Sequence, residues 1–155
     1  MTAATAGHAR SWYSERRWLG YAGLIPFIVC TAALLFANTA AWREVASDTL
    51  LNYSAVIASF LGAVHWGFAA GANGGSTVAR LRWGVMPALI AWVLLAVAPV
   101  SLAFAGFAAL FGLILIVDRY FLPVLDGAYR QMRLQLSGVV VIALAAAAVA
   151  TYGAT

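Results

Sequence analysis

The sequence contains no lysine, and all nine of its basic residues are arginine. Charge of either sign is scarce: charged residues make up 9% of the 155 and hydrophobic residues 65%. Soluble domains carry roughly 25% charged and 45–50% apolar residues. This chain therefore lacks the polar side chains needed to coat a water-soluble globule. A single cysteine, Cys30, excludes an internal disulfide. The motifs of common chemistry are missing as well. There is no H-E-x-x-H and no cysteine cluster for zinc. There is no G-x-S-x-G, no P-loop and no G-x-G-x-x-G. Only His65 lies in an apolar segment, whereas a membrane haem needs facing histidines or a His/Met pair, here a dimer or a well-placed Met86. The expectation is no catalytic residues, no metal and no cofactor.

What is present is apolar length. Mean hydropathy is +0.92, and a spanning helix needs about 20 mostly apolar residues. Five segments meet that requirement, at residues 18–37, 52–72, 83–99, 102–122 and 134–152. The expected fold is all-α, an integral membrane bundle of five transmembrane helices. Residues 1–17 form a polar basic tail containing His8, and 18–155 a single transmembrane helical domain. The first apolar run is too long for a cleavable signal core of about 7–15 residues, so it is read as a retained span.

The arginines set the threading. Arg10, Arg16, Arg17, Arg80, Arg82, Arg119, Arg130 and Arg133 fall on one side of such a bundle, and Arg43 alone on the other. The positive-inside bias puts the N-terminus in the cytoplasm, or the matrix of a mitochondrion, and the C-terminus outside. The net charge of +4 therefore reads as topology. The partner implied is the lipid bilayer and not nucleic acid, because the arginines mark helix ends and do not cluster with aromatics. Five spans cannot form two equal inverted halves, which argues against a standard secondary transporter.

The first span opens with LGYAGLIPF, in which Gly20 and Gly23 share a side and allow a close helix crossing. Pro26 removes a backbone donor and should kink the helix, which is tolerated where neighbours satisfy the freed carbonyl. Residues 38–51 read as a polar loop in which Ser47 or Asp48 caps the next helix. Residues 73–76 read as a turn. Trp83 reads as an interfacial anchor and Pro87 as a first-turn proline. Pro99 closes the third span in a tight hairpin. Residues 125–133 read as an amphipathic connector.

The second span carries the one candidate site. Wound at 100° per residue, Ile57, Phe60, Leu61, Val64 and Phe68 fall on one side, and Ser54, Ala55, Ala58, Ser59, Gly62, Ala63 and Ala69 on the other. Ala55, Ser59, Ala63, Gly67 and Gly71 also repeat every fourth residue. Lipid supplies no hydrophobic force between helices, so close packing of small residues does the work. The small side, with Ala55, Gly62, Ala63 and Gly67, is expected to face the bundle. His65 falls on that side. Its structural role would be a hydrogen bond across helices; its functional role would be proton handling or ligand contact, with Ser59, Asn52 and Trp66 as neighbours. The only carboxylate close to the membrane interior is Asp118. On its helix it shares a face with Phe104, Phe107, Phe111 and Ile114, opposite Ala105, Ala109 and Gly112. It is the candidate partner of His65, but this winding favours a place at the interface, paired with Arg82 or Arg133, and leaves its approach to His65 open.

LGYAGLIPF, YSAVIASFLGAVHWG at 53–67, RLRWGVMPALIAW at 80–92 and VDR at 117–119 together resemble the family known as domain of unknown function 3429, whose eukaryotic relatives include the mitochondrial transmembrane protein 69. The likeness runs over residues 18–150, with SFLGxxHWG its most specific part. Its motif positions here are Pro26, Ser59, Gly62, His65, Trp66, Gly67, Arg80, Trp83, Pro87 and Asp118. The resemblance implies a small multi-pass inner-membrane protein, bacterial or mitochondrial, and supplies no mechanism. Two expectations follow. One is a non-catalytic protein that packs with, or helps assemble, a membrane complex as a homo- or hetero-oligomer through small-residue helix faces. The other is a small carrier, or a ligand-binding or proton-handling bundle, with His65 lining a cavity.

Overall fold

A computed structural model of the chain describes residues 18–70, 76–121 and 127–152. The basic tail 1–17, the turn at 73–75, Gly71, Pro123 and Asp126 lie outside the described residues. The architecture is all-helical, with five long helices: α1 Ile25–Phe36, α2 Ala40–Ala70, α3 Ser76–Val97, α4 Val100–Phe121 and α5 Gly127–Tyr152. Residues 18–22 form a helical turn ahead of α1, and Trp18–Phe36 make one apolar span with it.

Pro26 does more than kink the first span. It cannot donate to the Ala22 carbonyl, and its ring would clash there. The helix stops at Gly23 and Leu24 and restarts with Pro26 in its first turn, where a missing donor is harmless. The Gly23 carbonyl at the break accepts a hydrogen bond from the Tyr53 hydroxyl of α2 at 3.0 Å.

α2 starts a dozen residues earlier than the sequence suggested. Thr39, not Ser47 or Asp48, holds its N-terminus, accepting from the Trp42 N–H at 3.4 Å. The segment read as a polar loop is its first turns, and Ser47 is buried within it. α3 and α5 likewise begin earlier, so Pro87 sits in a helix interior and residues 127–133 are helical. The tight hairpin at Ala98 and Pro99 joins α3 to α4 as read, with the Pro99 carbonyl accepting from the Ala103 N–H at 2.8 Å.

Among the described residues, four segments are long and apolar enough to cross a membrane: Trp18–Phe36, Thr77–Val97, Val100–Phe121 and Gly127–Tyr152. α2, which carries Arg43, Glu44 and Asp48 as well as Asn52, Ser54, Ser59 and His65, is not among these four. Its contacts nevertheless carry it the length of the bundle. Arg43, near its start, donates to the Ala150 carbonyl near the end of α5 at 3.0 Å. His65, near its end, joins Arg133 near the start of α5 through Asp118. α2 therefore runs antiparallel to α5 over most of that helix.

α2 packs most extensively on α3, and α4 on α5. The core is aromatic: Phe27, Phe104, Phe107 and Phe111 are all essentially inaccessible. Phe27 meets Tyr53 and Phe111 edge-on, with ring centroids 5.1 and 5.9 Å apart. The outer surface shows large apolar side chains such as Phe36, Trp92, Ile142 and Val149. Water would penalise that surface and hydrocarbon does not.

A buried His–Asp–Arg cluster as candidate functional site

His65, Asp118 and Arg133 come from three helices and meet at the arginine-rich end of the bundle. His65 lies a turn before the end of α2, Asp118 a turn before the end of α4, and Arg133 two turns into α5. His65 Nε2 is 2.9 Å from Asp118 Oδ1. The other carboxylate oxygen, Oδ2, accepts from Arg133 Nε at 2.9 Å and Nη2 at 2.5 Å. The His65 side chain is 0% exposed, Asp118 7% and Arg133 13%, so the cluster is nearly dry. The edge of Phe121 closes over the imidazole at a centroid distance of 6.0 Å. With Oδ1 accepting, Nε2 is the donor, which leaves Nδ1 as the remaining ring nitrogen. Nδ1 is buried and has no hydrogen-bond partner among the described residues. Arg80 Nε and Trp83 Nε1 share that condition.

The pairing of Asp118 with Arg133 is as expected from sequence; its approach to His65 goes beyond what the winding favours. The reason lies in α4. Its buried residues are Ala103, Phe104, Phe107, Leu110, Phe111, Ile114 and Asp118, while Ala105 and Ala109 are exposed. The aromatic face, not the small one, turns inward and brings Asp118 with it. Arg82 is exposed and does not reach Asp118.

The other candidate polar residues do not converge on His65. Asn52 is exposed and donates to the Asp48 carbonyl of its own helix at 2.8 Å. Ser59 donates to the Ala55 carbonyl at 2.8 Å. Both hydrogen bonds are local, which is how polar groups on a membrane helix avoid needing a partner elsewhere. Trp66 is half-exposed and clamps α2 to α3, its Nε1 donating to the Leu81 carbonyl at 3.1 Å. Trp83, read as an interfacial anchor, is partly buried against the core.

The packing residues divide. Gly62 makes the close crossing: a Cβ there would lie 2.5 Å from the Gly84 carbonyl oxygen and 3.2 Å from Pro87. Ala55 is partly buried against the core. Gly20 abuts Leu136 of α5 and Gly23 faces Tyr53 of α2, so the glycine pair serves two different neighbours. Ala63 and Gly67 are exposed, and nothing lies within 4 Å of a Cβ on Gly67. The every-fourth-residue stripe therefore leaves the bundle after Ser59. The crossing used by the fold is offset by one residue from it.

Among the described residues no group of three His, Cys, Asp or Glu side chains comes together to hold a metal. The cluster can hold a proton between an imidazole and a carboxylate, and it can tie three helices together.

The chain is 40% identical over 83 residues to "Transmembrane protein 69" of Xenopus tropicalis, a stretch covering 50% of this chain and 31% of that protein. It thus matches about a third of the length of that relative. No solved structure matches. The profile of the family described as "Protein of unknown function (DUF3429)" matches residues 12–149. The chain belongs to this family.

Proposed function

We propose that the protein is a non-catalytic multi-pass protein that packs with, or helps assemble, a membrane complex through its helix faces. It would sit in a bacterial plasma membrane, or in the mitochondrial inner membrane of a eukaryote, with its N-terminus on the arginine-rich side. The supporting observation is the exposed small-residue face of α2, where Ala63 and Gly67 point away from the bundle and have room for a partner helix. Small residues on an exterior face let a second backbone approach closely, which is the main route to helix association in lipid. The His65–Asp118–Arg133 cluster then acts as an internal lock that keeps this face in place.

The test is Ala63→Leu with Gly67→Leu in the full chain, purified in mild detergent. Expected are a melting temperature no lower than that of the wild type and loss of the higher-mass species that the wild type should show on native sizing and cross-linking. A wild-type chain that runs as a bare monomer, or a variant that keeps its partner, would sink the reading.

A second reading is a proton-handling bundle, and the unpartnered Nδ1 of His65 favours it. The carrier form of that reading wants a polar cavity at His65.

A further inference from the structure

A hollow of about 340 Å³ lies between α1, α2, α4 and α5. It is at the small end of the range for ligand pockets, about 300–1,000 Å³. Leu24, Phe27 and Ile57 form part of an almost wholly apolar wall. Its lining runs from the arginine-rich end of the molecule to mid-depth, where Phe27, Ile57, Phe111 and Val140 close it. At the rim stand Tyr129 and Arg133, one helical turn apart on α5. Arg133 gives two hydrogen bonds to Asp118, and a guanidinium carries five N–H donors. One turn deeper lies Ser137, 6% exposed, which also lines the hollow. An apolar slot with unspent cationic donors at its membrane-surface end is complementary to one kind of molecule. Arg82, Arg119 and Arg130, all exposed at the same end, add positive charge around the rim.

We propose that this hollow holds one acyl chain of an anionic phospholipid, its phosphate at Arg133 and Tyr129 and its chain running past Ser137 against Phe27 and Ile57. Basic pockets between transmembrane helices are established headgroup sites, and each arginine near an anionic headgroup favours it by about five-fold. A zwitterionic lipid with the same chains would gain the apolar contacts but a smaller charge term. The site is separate from the α2 face assigned above to a protein partner.

The experiment is native mass spectrometry of the full chain with phosphatidylglycerol and phosphatidylcholine of identical chains. One phosphatidylglycerol should be retained at least about five-fold better than phosphatidylcholine. Ser137→Phe, which fills the slot from α5, should abolish that preference, and Ile57→Phe should do the same from α2. Equal retention of the two lipids, or full retention by a folded slot-filled variant, overturns the proposal. Should neither variant fold, wild type with a phosphatidylglycerol bearing a photoreactive acyl chain decides. Adducts on Phe27, Ile57 or Ser137 support the site, and adducts confined to outward residues such as Phe36 and Ile142 refute it.

Discussion

Asp118 gives each of its carboxylate oxygens a different partner, and both partners are nearly buried. Removing it would leave the Arg133 guanidinium without its counter-charge and His65 Nε2 without an acceptor. Breaking a buried pair from one side costs about 3–5 kcal/mol, whereas replacing the whole pair by apolar groups is often close to neutral. Asp118→Leu is therefore expected to lose about 3–5 kcal/mol in unfolding by denaturing detergent. Asp118→Leu with Arg133→Met should recover a large part of the loss. A double-mutant cycle giving no coupling between the two positions would remove the lock from the account. At this scale the sequence showed the cation and the anion. It could not show that one carboxylate serves two partners, because that depends on which way α4 is turned.

The rotation of a helix is where reading from residue type succeeded in part on α2 and failed on α4. On α2 Ser54, Ala58, Gly62, His65 and Ala69 are buried and Phe60 and Phe68 are exposed, as a small-side-inward rule requires, whereas, contrary to it, Ala63 and Gly67 are exposed and Leu61 is buried. On α4 four large residues, Phe104, Phe107, Phe111 and Ile114, fill the interior instead. Helices in lipid associate through van der Waals contact. Interlocked aromatic rings supply that contact as well as close backbones do, so small residues alone do not decide the side. Helix existence was legible throughout, since apolar length is a property of single segments. Helix starts were not, because Thr39 and Gly127 are marked by no hydrophobic change. The same distinction predicts opposite outcomes for two glycines on one helix. Gly62→Ala meets the Gly84 carbonyl oxygen, which is backbone and cannot swing aside, so α2 and α3 must separate. It should cost about 1–3 kcal/mol, the usual range for overpacking. Gly67→Ala meets nothing and should stabilise by up to about 1 kcal/mol from helix propensity. Equal effects in melting experiments on the purified protein would contradict the offset crossing.

For the molecule as a whole, the decisive question is whether α2 crosses the membrane with the other helices. It is not among the four segments that qualify as spans by length and composition, yet its 31 residues extend about 46 Å at 1.5 Å per residue, well beyond a hydrocarbon core of about 30 Å. Its two ends are tied to opposite ends of α5, by Arg43 to Ala150 and by His65 through Asp118 to Arg133. A helix so tied must cross wherever α5 crosses, and its excess length must emerge at one surface. Arg43, Glu44 and Asp48 in its first turns mark that surface. Glu44→Cys and Arg130→Cys then give a direct reading, because both positions are exposed while the native Cys30 is buried. If α2 crosses, a membrane-impermeant maleimide applied to intact cells labels Cys at 44 from outside and reaches Cys at 130 only after permeabilisation. If α2 lies along the surface and only four segments cross, positions 44 and 130 fall on the same side and label together. The arginine count favours the first outcome, because it leaves Arg43 as the sole arginine among nine on the outer side.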